Sequence, residues 1–249
     1  MPIQGCLNYR LVKWLLAVGL LATVPILTAC GGGTTDQTET VTTTLPSADM
    51  IVVAFPDANL EASIRAVLNK PEGPLYTSDL ERVTKLDARE RDISDFTGLE
   101  HCVNLWWLDL GINDTSDISP LSSLTLLEEL YLGGNSISDI SPLAGLATLN
   151  ELYLGDNNIS DLSVLFGLNN LEWLSLTNNN ISDISVLAGL INLEGLHLTN
   201  NNISDISPLV WNSGFSNGDA VWLWYNPLSI TSVDVYISQL EERGVIVTY

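Results

Sequence analysis

Along most of this chain, apolar and polar positions recur with a period of 22 residues. The first leucines of successive copies are Leu105, Leu127, Leu149, Leu171 and Leu193, and a degenerate copy opens at Val83. In the copy from Leu149 to Asn170, Leu149, Leu152 and Leu154 stand at repeat positions 1, 4 and 6. Leu152, Tyr153 and Leu154 alternate with period two, which predicts a short strand with its leucines turned inward. Ile159, Leu162, Leu165 and Leu168 complete the inward set. A single copy cannot bury these side chains, so the copies must stack and share one core. The expected fold is an α/β solenoid with parallel strands roughly 4.8 Å apart.

Two polar columns fit that scaffold. Position 9 holds Asn113, Asn135, Asn157, Asn179, Asn201 and Asn226. An amide there can satisfy backbone groups left over where the chain bends, in its own coil and in the next. In the second half of the repeat, Ser119-Pro120, Ser141-Pro142 and Ser207-Pro208 place a hydroxyl before a proline. That is helix-start chemistry, because proline at the first helical position gives up an N–H that had no partner. One short helical turn per coil is expected on the convex side.

The stretches Leu130 to Leu146, Leu152 to Leu168 and Leu174 to Leu190 resemble the leucine-rich repeat family, in the 22-residue bacterial form seen in internalins. The resemblance covers residues 83–228 and implies a horseshoe or arc with strands on its concave side. It departs from the pattern at both ends. Ala88 and Arg91 sit where Leu and Asn belong, and the last coil starts at Gly218, 25 residues after Leu193. A small loop around Trp211 to Phe215 is expected to take up the difference. Solenoids need covered ends. Residues 51–82 are expected to form a helical N-terminal cap, with an amphipathic helix from Phe55 to Lys70 and a second helix capped by Ser78 and Glu81. Residues 229–249 are expected to form a C-terminal cap, with a helix from Thr231 to Arg243 and a last strand from Val245 to Val247.

The beginning of the chain reads differently. Arg10 and Lys13 precede an apolar run from Trp14 to Leu27, too short for a comfortable membrane span. Leu27-Thr28-Ala29-Cys30 resembles the lipobox of bacterial lipoproteins. The resemblance implies a lipoprotein signal peptide over residues 1–29, with Cys30 the lipidated residue; an ordinary cleaved signal, with Cys30 incidental, is the other reading. Residues 30–50 are Gly- and Thr-rich and read as a flexible tether. The expected location is the cell envelope, with the protein exposed at the outer surface and touching the membrane only through its lipid.

Charge narrows the partners. The chain carries 9 basic and 30 acidic residues. Without Arg10 and Lys13 the basic count is 7 and the net charge −23. Such a surface repels phosphate backbones, so no nucleic-acid partner is expected. Cys102 occupies a leucine column and reads as a small buried hydrophobe.

No catalytic constellation is visible, and neither an enzyme nor a cofactor is expected. His101 and His197 lie four coils apart. Asp95, Asp117, Asp139, Asp161, Asp183 and Asp205 form a column at position 13. Each follows a serine in a turn, where bonds to local N–H groups explain it. Calcium bridging between coils is the other reading of that column.

What the repeat leaves free are the outward strand positions, 3, 5 and 7. Trp107, Glu129, Glu151 and Trp173 fall at position 3, and Asp109, Tyr131, Tyr153, His197 and Trp222 at position 5. Gly111, Gly133 and Gly155 at position 7 are expected to clear room beside the tyrosines. Trp224, also at position 7, joins His197, Trp222 and Tyr225 in a second aromatic group. Trp and Tyr on a solvent-facing strand surface are the side chains of binding hot spots. The expected function is a non-enzymatic module that recognises a protein or peptide through an acidic, aromatic concave face. Glu129, Glu151, Asp109 and Asp156 would favour basic groups. A carbohydrate ligand, or a spacer with no ligand, are the other readings.

Overall fold

The computed structural model describes residues 51–249. The expected signal peptide and tether, with Cys30, lie outside the described residues.

The N-terminal cap pairs β1 (Val52–Val53) with β2 (Leu75–Tyr76) in antiparallel fashion around α1 (Ala58–Leu68). Helix α1 buries Leu60 and Ile64, as its amphipathic pattern requires. It starts later than Phe55, because Asp57 caps it. Asp57 Oδ1 accepts from Asn59 N at 2.9 Å and Leu60 N at 3.1 Å. Helix α2 (Thr77–Leu80) follows at once. Its capping acid is not the Glu81 read from the sequence. Asp79 reaches back instead, and its Oδ2 accepts from Tyr76 N at 3.0 Å and from Lys70 Nζ at 2.6 Å.

Eight strands then stack in chain order into one parallel sheet. They are β3 (Lys85–Asp87), β4 (Trp107–Asp109), β5 (Glu129–Tyr131), β6 (Glu151–Tyr153), β7 (Trp173–Ser175), β8 (Gly195–His197), β9 (Ala220–Trp222) and β10 (Ile246–Thr248). The register matches the repeat, position for position: Leu108, Leu130, Leu152, Leu174 and Leu196 pair in succession, and Leu196 meets Val221. Each is essentially solvent-free. The core runs the length of the solenoid as one column of leucines and isoleucines.

The asparagine ladder explains how coils are joined. Asn157 Nδ2 donates to Leu154 O in its own coil at 3.1 Å and to Leu132 O in the preceding coil at 3.0 Å. Its Oδ1 accepts from Ile137 N of the preceding coil at 3.0 Å. Asn179 and Asn201 repeat the arrangement. Each asparagine therefore completes the coil before it. The first coil has no predecessor in the ladder, which is why Arg91 can stand there, and its backbone is served by Asn113.

The helical turns are 3-10 in character over Ser119–Ser123, Ser141–Gly145, Ser163–Gly167 and Ser185–Gly189. Their capping differs from the expectation. The serine hydroxyl caps none of them; the aspartate two residues earlier does. Asp117, Asp139, Asp161 and Asp183 each accept from the N–H of Ser119, Ser141, Ser163 and Ser185 through Oδ1 at 2.8 Å. The position-13 column is thus a set of turn caps, and the backbone bond from each serine pulls those four carboxyls below their ordinary range.

The three extra residues near the end do not form a plain surface loop. They extend the turn into α3 (Ser207–Trp211) and then fold inward. Asn212 is fully buried and donates to Leu187 O at 2.7 Å and Leu190 O at 2.9 Å. Phe215 joins the core. Arg243 reaches over from the C-terminal cap to donate to Val210 O, Asn212 O and Phe215 O. That cap begins with a wide π-type turn at Ser232–Tyr236, continues as α4 (Ile237–Glu242), and ends in β10, one residue later than the sequence suggests.

Candidate functional site

The outward face of the sheet displays what the repeat leaves variable, and the pairing of strands sets its order. Glu129 lies opposite Glu151 and Tyr131 opposite Tyr153. The two tyrosine rings stack with centroids 4.5 Å apart and planes inclined by 8°. Trp107 leans on this stack, tilted by 45° at 5.5 Å from Tyr131. One parallel step between strands is close to ring-stacking distance, so identical letters in one column produce a stack directly.

The tyrosine hydroxyls turn toward the carboxylates. Tyr131 Oη lies 3.0 Å from Glu129 Oε2 and 3.2 Å from Glu151 Oε2. Tyr153 Oη lies 3.1 Å from the same Glu151 oxygen. Burial first, and then the adjacent carboxylates, push both phenols up, Tyr153 to about 12. Both remain neutral donors under ordinary conditions.

The structure separates the other expected residues. Asp109 is only 9 % exposed. Its Oδ1 accepts from Gly111 N at 2.8 Å. Burial pushes its carboxyl pKa up against the pull of that bond. Asp109 is occupied in its own turn rather than offered to a partner. Trp173 is 37 % exposed and folds away from the tyrosines onto the next strand. A Cβ at Gly195 would come within 2.3 Å of its ring, so glycine is what lets the indole lie there. His197 and Trp222 form a separate stack, with centroids 3.8 Å apart and planes 11° apart. Burial of the imidazole lowers its proton affinity. Trp224 and Tyr225 project beyond it, 48 % and 80 % exposed.

The position-7 glycines do something other than clear space for the tyrosines. A Cβ on Gly133 would sit 3.2 Å from Gly155 O, and one on Gly155 3.3 Å from Thr177 O. They let consecutive coils approach closely. The contact is tight rather than forbidden, since Thr177 and Thr199 fill the same column further on.

Two features were not anticipated. Lys85 holds its ammonium 4.0 Å from the Trp107 ring centre and 5.7 Å from that of Trp106. Both tryptophans therefore flank a cation already. Lys85 stands in the position-3 column, but its reach toward Trp106 at position 2 depends on side-chain direction, which spacing does not carry. In addition, position 8 is left-handed in coil after coil: Ile112, Asp156, Asn178, Asn200 and Tyr225 have φ between 53° and 58°, and Gly134 has 72°. The prevalence of Asn, Asp and Gly in that column was the available signal.

Three overlapping stretches, residues 125–167, 147–189 and 169–211, match the model described as Leucine Rich repeats (2 copies). Among solved structures, an internalin C2 from Listeria monocytogenes is 33% identical over 78% of this chain and 93% of its own, with a TM-score of 0.61. This chain belongs to the internalin-type leucine-rich repeat family. An internalin from the same organism, internalin F, is 36% identical over 72% of this chain, which spans 59% of that longer protein, with a TM-score of 0.59. The functional domain of InlJ, also from Listeria monocytogenes, is 20% identical over 70% of this chain and 37% of its own, with a TM-score of 0.59, and shares the fold alone. No curated protein sequence matches the chain. The internalin-type scaffold is a protein-interaction fold, and here its sheet face carries the aromatic and acidic side chains. Among the described residues, no helix is long and apolar enough to cross a membrane, and no group of potential ligands is gathered for a metal ion.

Proposed function

We propose that this internalin-type protein is a surface-tethered recognition module that binds a protein or peptide through the face of strands β3 to β9. The observation that carries this is the Trp107–Tyr131–Tyr153 array. Three aromatic rings lie side by side on a rigid sheet, partly open to solvent, with two glutamates at their hydroxyl ends. A sheet fixed by a continuous leucine core loses little conformational freedom on binding, so the rings are preorganised. Trp173 extends the apolar area on one side, and His197, Trp222 and Trp224 form a second patch toward the C-terminal end. Asp109 has a structural role, which leaves Glu129, Glu151 and the exposed Asp156 to favour a basic partner. Cleavage before Cys30 and lipidation of that residue would tether the module to the envelope, outside the cell.

The test is binding of the full-length protein to peptide and glycan arrays, wild type beside Tyr131→Ala/Tyr153→Ala/Trp173→Ala. Peptide hits that vanish in the triple variant support the proposal. Hits that persist move the site elsewhere, and hits confined to glycans replace the partner class. Mass spectrometry of membrane-extracted protein checks the anchor, which requires an acylated Cys30 at the N-terminus.

A further inference from the structure

The hydrogen-bonding of the central cluster does not close. Glu129 and Glu151 face each other on adjacent parallel strands, a like-charge pair at the closest cross-strand position. Three short oxygen contacts join them to the tyrosines: Glu129 to Tyr131, Tyr131 to Glu151, and Glu151 to Tyr153. A phenol carries one hydrogen. With both carboxylates ionised, two hydrogens serve three contacts, and Tyr131 must abandon one glutamate to satisfy the other. Among the described residues no cation pairs with either carboxylate; the ion pairs are Arg65 with Glu61, Lys70 with Asp79, and the weak contact of His101 with Glu100. Lys85 is engaged with the tryptophans. The cluster is therefore short of positive charge and of donors.

From this we infer that Glu129 and Glu151 form the receptor for one arginine side chain of the partner. The inference rests on the proposed use of this face for binding a protein or peptide. A guanidinium is planar and presents N–H groups along two edges, so it can donate to both carboxylates together. It supplies the missing donors and cancels the repulsion between the two glutamates. Tyr131 Oη is then free to commit its single hydrogen to one oxygen. An ammonium is a compact, strongly hydrated point charge without the planar fork, and it matches this site less well. The acidity of the whole chain increases the attraction at a distance without choosing between the two.

The experiment is calorimetric titration of the full-length protein with three capped amino acids: N-acetyl-arginine amide, N-acetyl-lysine amide and N-acetyl-citrulline amide. Citrulline keeps the shape of arginine and lacks its charge. Arginine is expected to bind in the millimolar range, with lysine several-fold weaker and citrulline without measurable heat. Glu129→Gln/Glu151→Gln should weaken arginine binding at least about tenfold. Arginine binding that is absent, matched by lysine or citrulline, or unchanged in the double variant overturns the inference. Removing a like-charge pair should not unfold the protein, and an unshifted melting temperature confirms that the loss is local. Peptide-array hits that depend on Tyr131 and Tyr153 but contain no arginine preserve the wider proposal while removing this one.

Discussion

Asp57 Oδ2 accepts from Ser94 N at 2.9 Å, across 37 residues of chain. The same carboxylate caps α1 through its other oxygen. One side chain therefore starts the cap helix and fastens it to the first coil. Burial works against the charged form, but the N–H groups of Ser94, Leu60 and Asn59 prevail and hold this carboxyl below its ordinary range. Asp57→Ala should cost about 1–2 kcal/mol, the loss of a cap plus a docking bond. Chemical denaturation measures it. Early melting of the cap ahead of the repeats would show that docking is the larger part.

Asn157 sits mid-ladder with both ends of its amide engaged between two coils. Asn157→Ala leaves buried backbone groups of both coils unpaired, and about 3 kcal/mol or more should be lost in urea unfolding. Arg91→Asn, at the same repeat position in the first coil, should change stability by less than about 0.5 kcal/mol. Equal effects at the two sites would refute the idea that each asparagine serves the coil before it.

Ile112 adopts φ 53° and is 46 % exposed. A β-branched residue is strained there, whereas asparagine and glycine are at ease. Ile112→Asn should raise stability by about 0.5–1 kcal/mol. A lowered melting temperature would mean that the contacts of the isoleucine outweigh its backbone strain.

Asp117, Asp139, Asp161 and Asp183 have lowered proton affinity in the folded state because each accepts from a serine N–H. Unfolded carboxyls bind protons first as the pH drops. The stabilisation is therefore fully present above the ordinary value of 3.8 and is lost as the pH falls below it, through the lower folded values. Urea midpoints followed from pH 7 into this acid range should decline less steeply for Asp139→Asn/Asp161→Asn/Asp183→Asn than for wild type. Chelator and added Ca²⁺ should leave the neutral-pH midpoint of the wild type unchanged. A rise with Ca²⁺ would restore the bridging reading of this column.

The architecture was legible in the sequence because spacing alone dictates it. A leucine at positions 4 and 6 has one place to go, and Leu130, Leu152 and Leu174 went there. The adjacency of Tyr131 and Tyr153 followed from the same rule, and the stacking of their rings came with the structure. Spacing names the face of a strand but not the direction a long side chain takes across it. Hence the folding of Trp173 onto Gly195, the ammonium of Lys85 between two tryptophans, and the inward turn of Asp109 were not visible. The caps were misassigned for a related reason. Serine and aspartate both cap turns, and only geometry shows which oxygen meets which N–H. The three extra residues before Gly218 looked like a surface excursion because their polarity hid one buried asparagine and one buried phenylalanine.

Since every asparagine closes its predecessor, a coil is exchanged without altering the joint, provided its successor keeps the amide. Replacing residues 127–148 with another 22-residue unit that has asparagine at position 9 would exchange Glu129 and Tyr131 as a pair and leave the neighbouring junctions chemically identical. The scaffold behaves as a type-case in which two or three letters per line are movable. New specificities are then reachable by duplication and shuffling of whole lines, before any single letter needs to change.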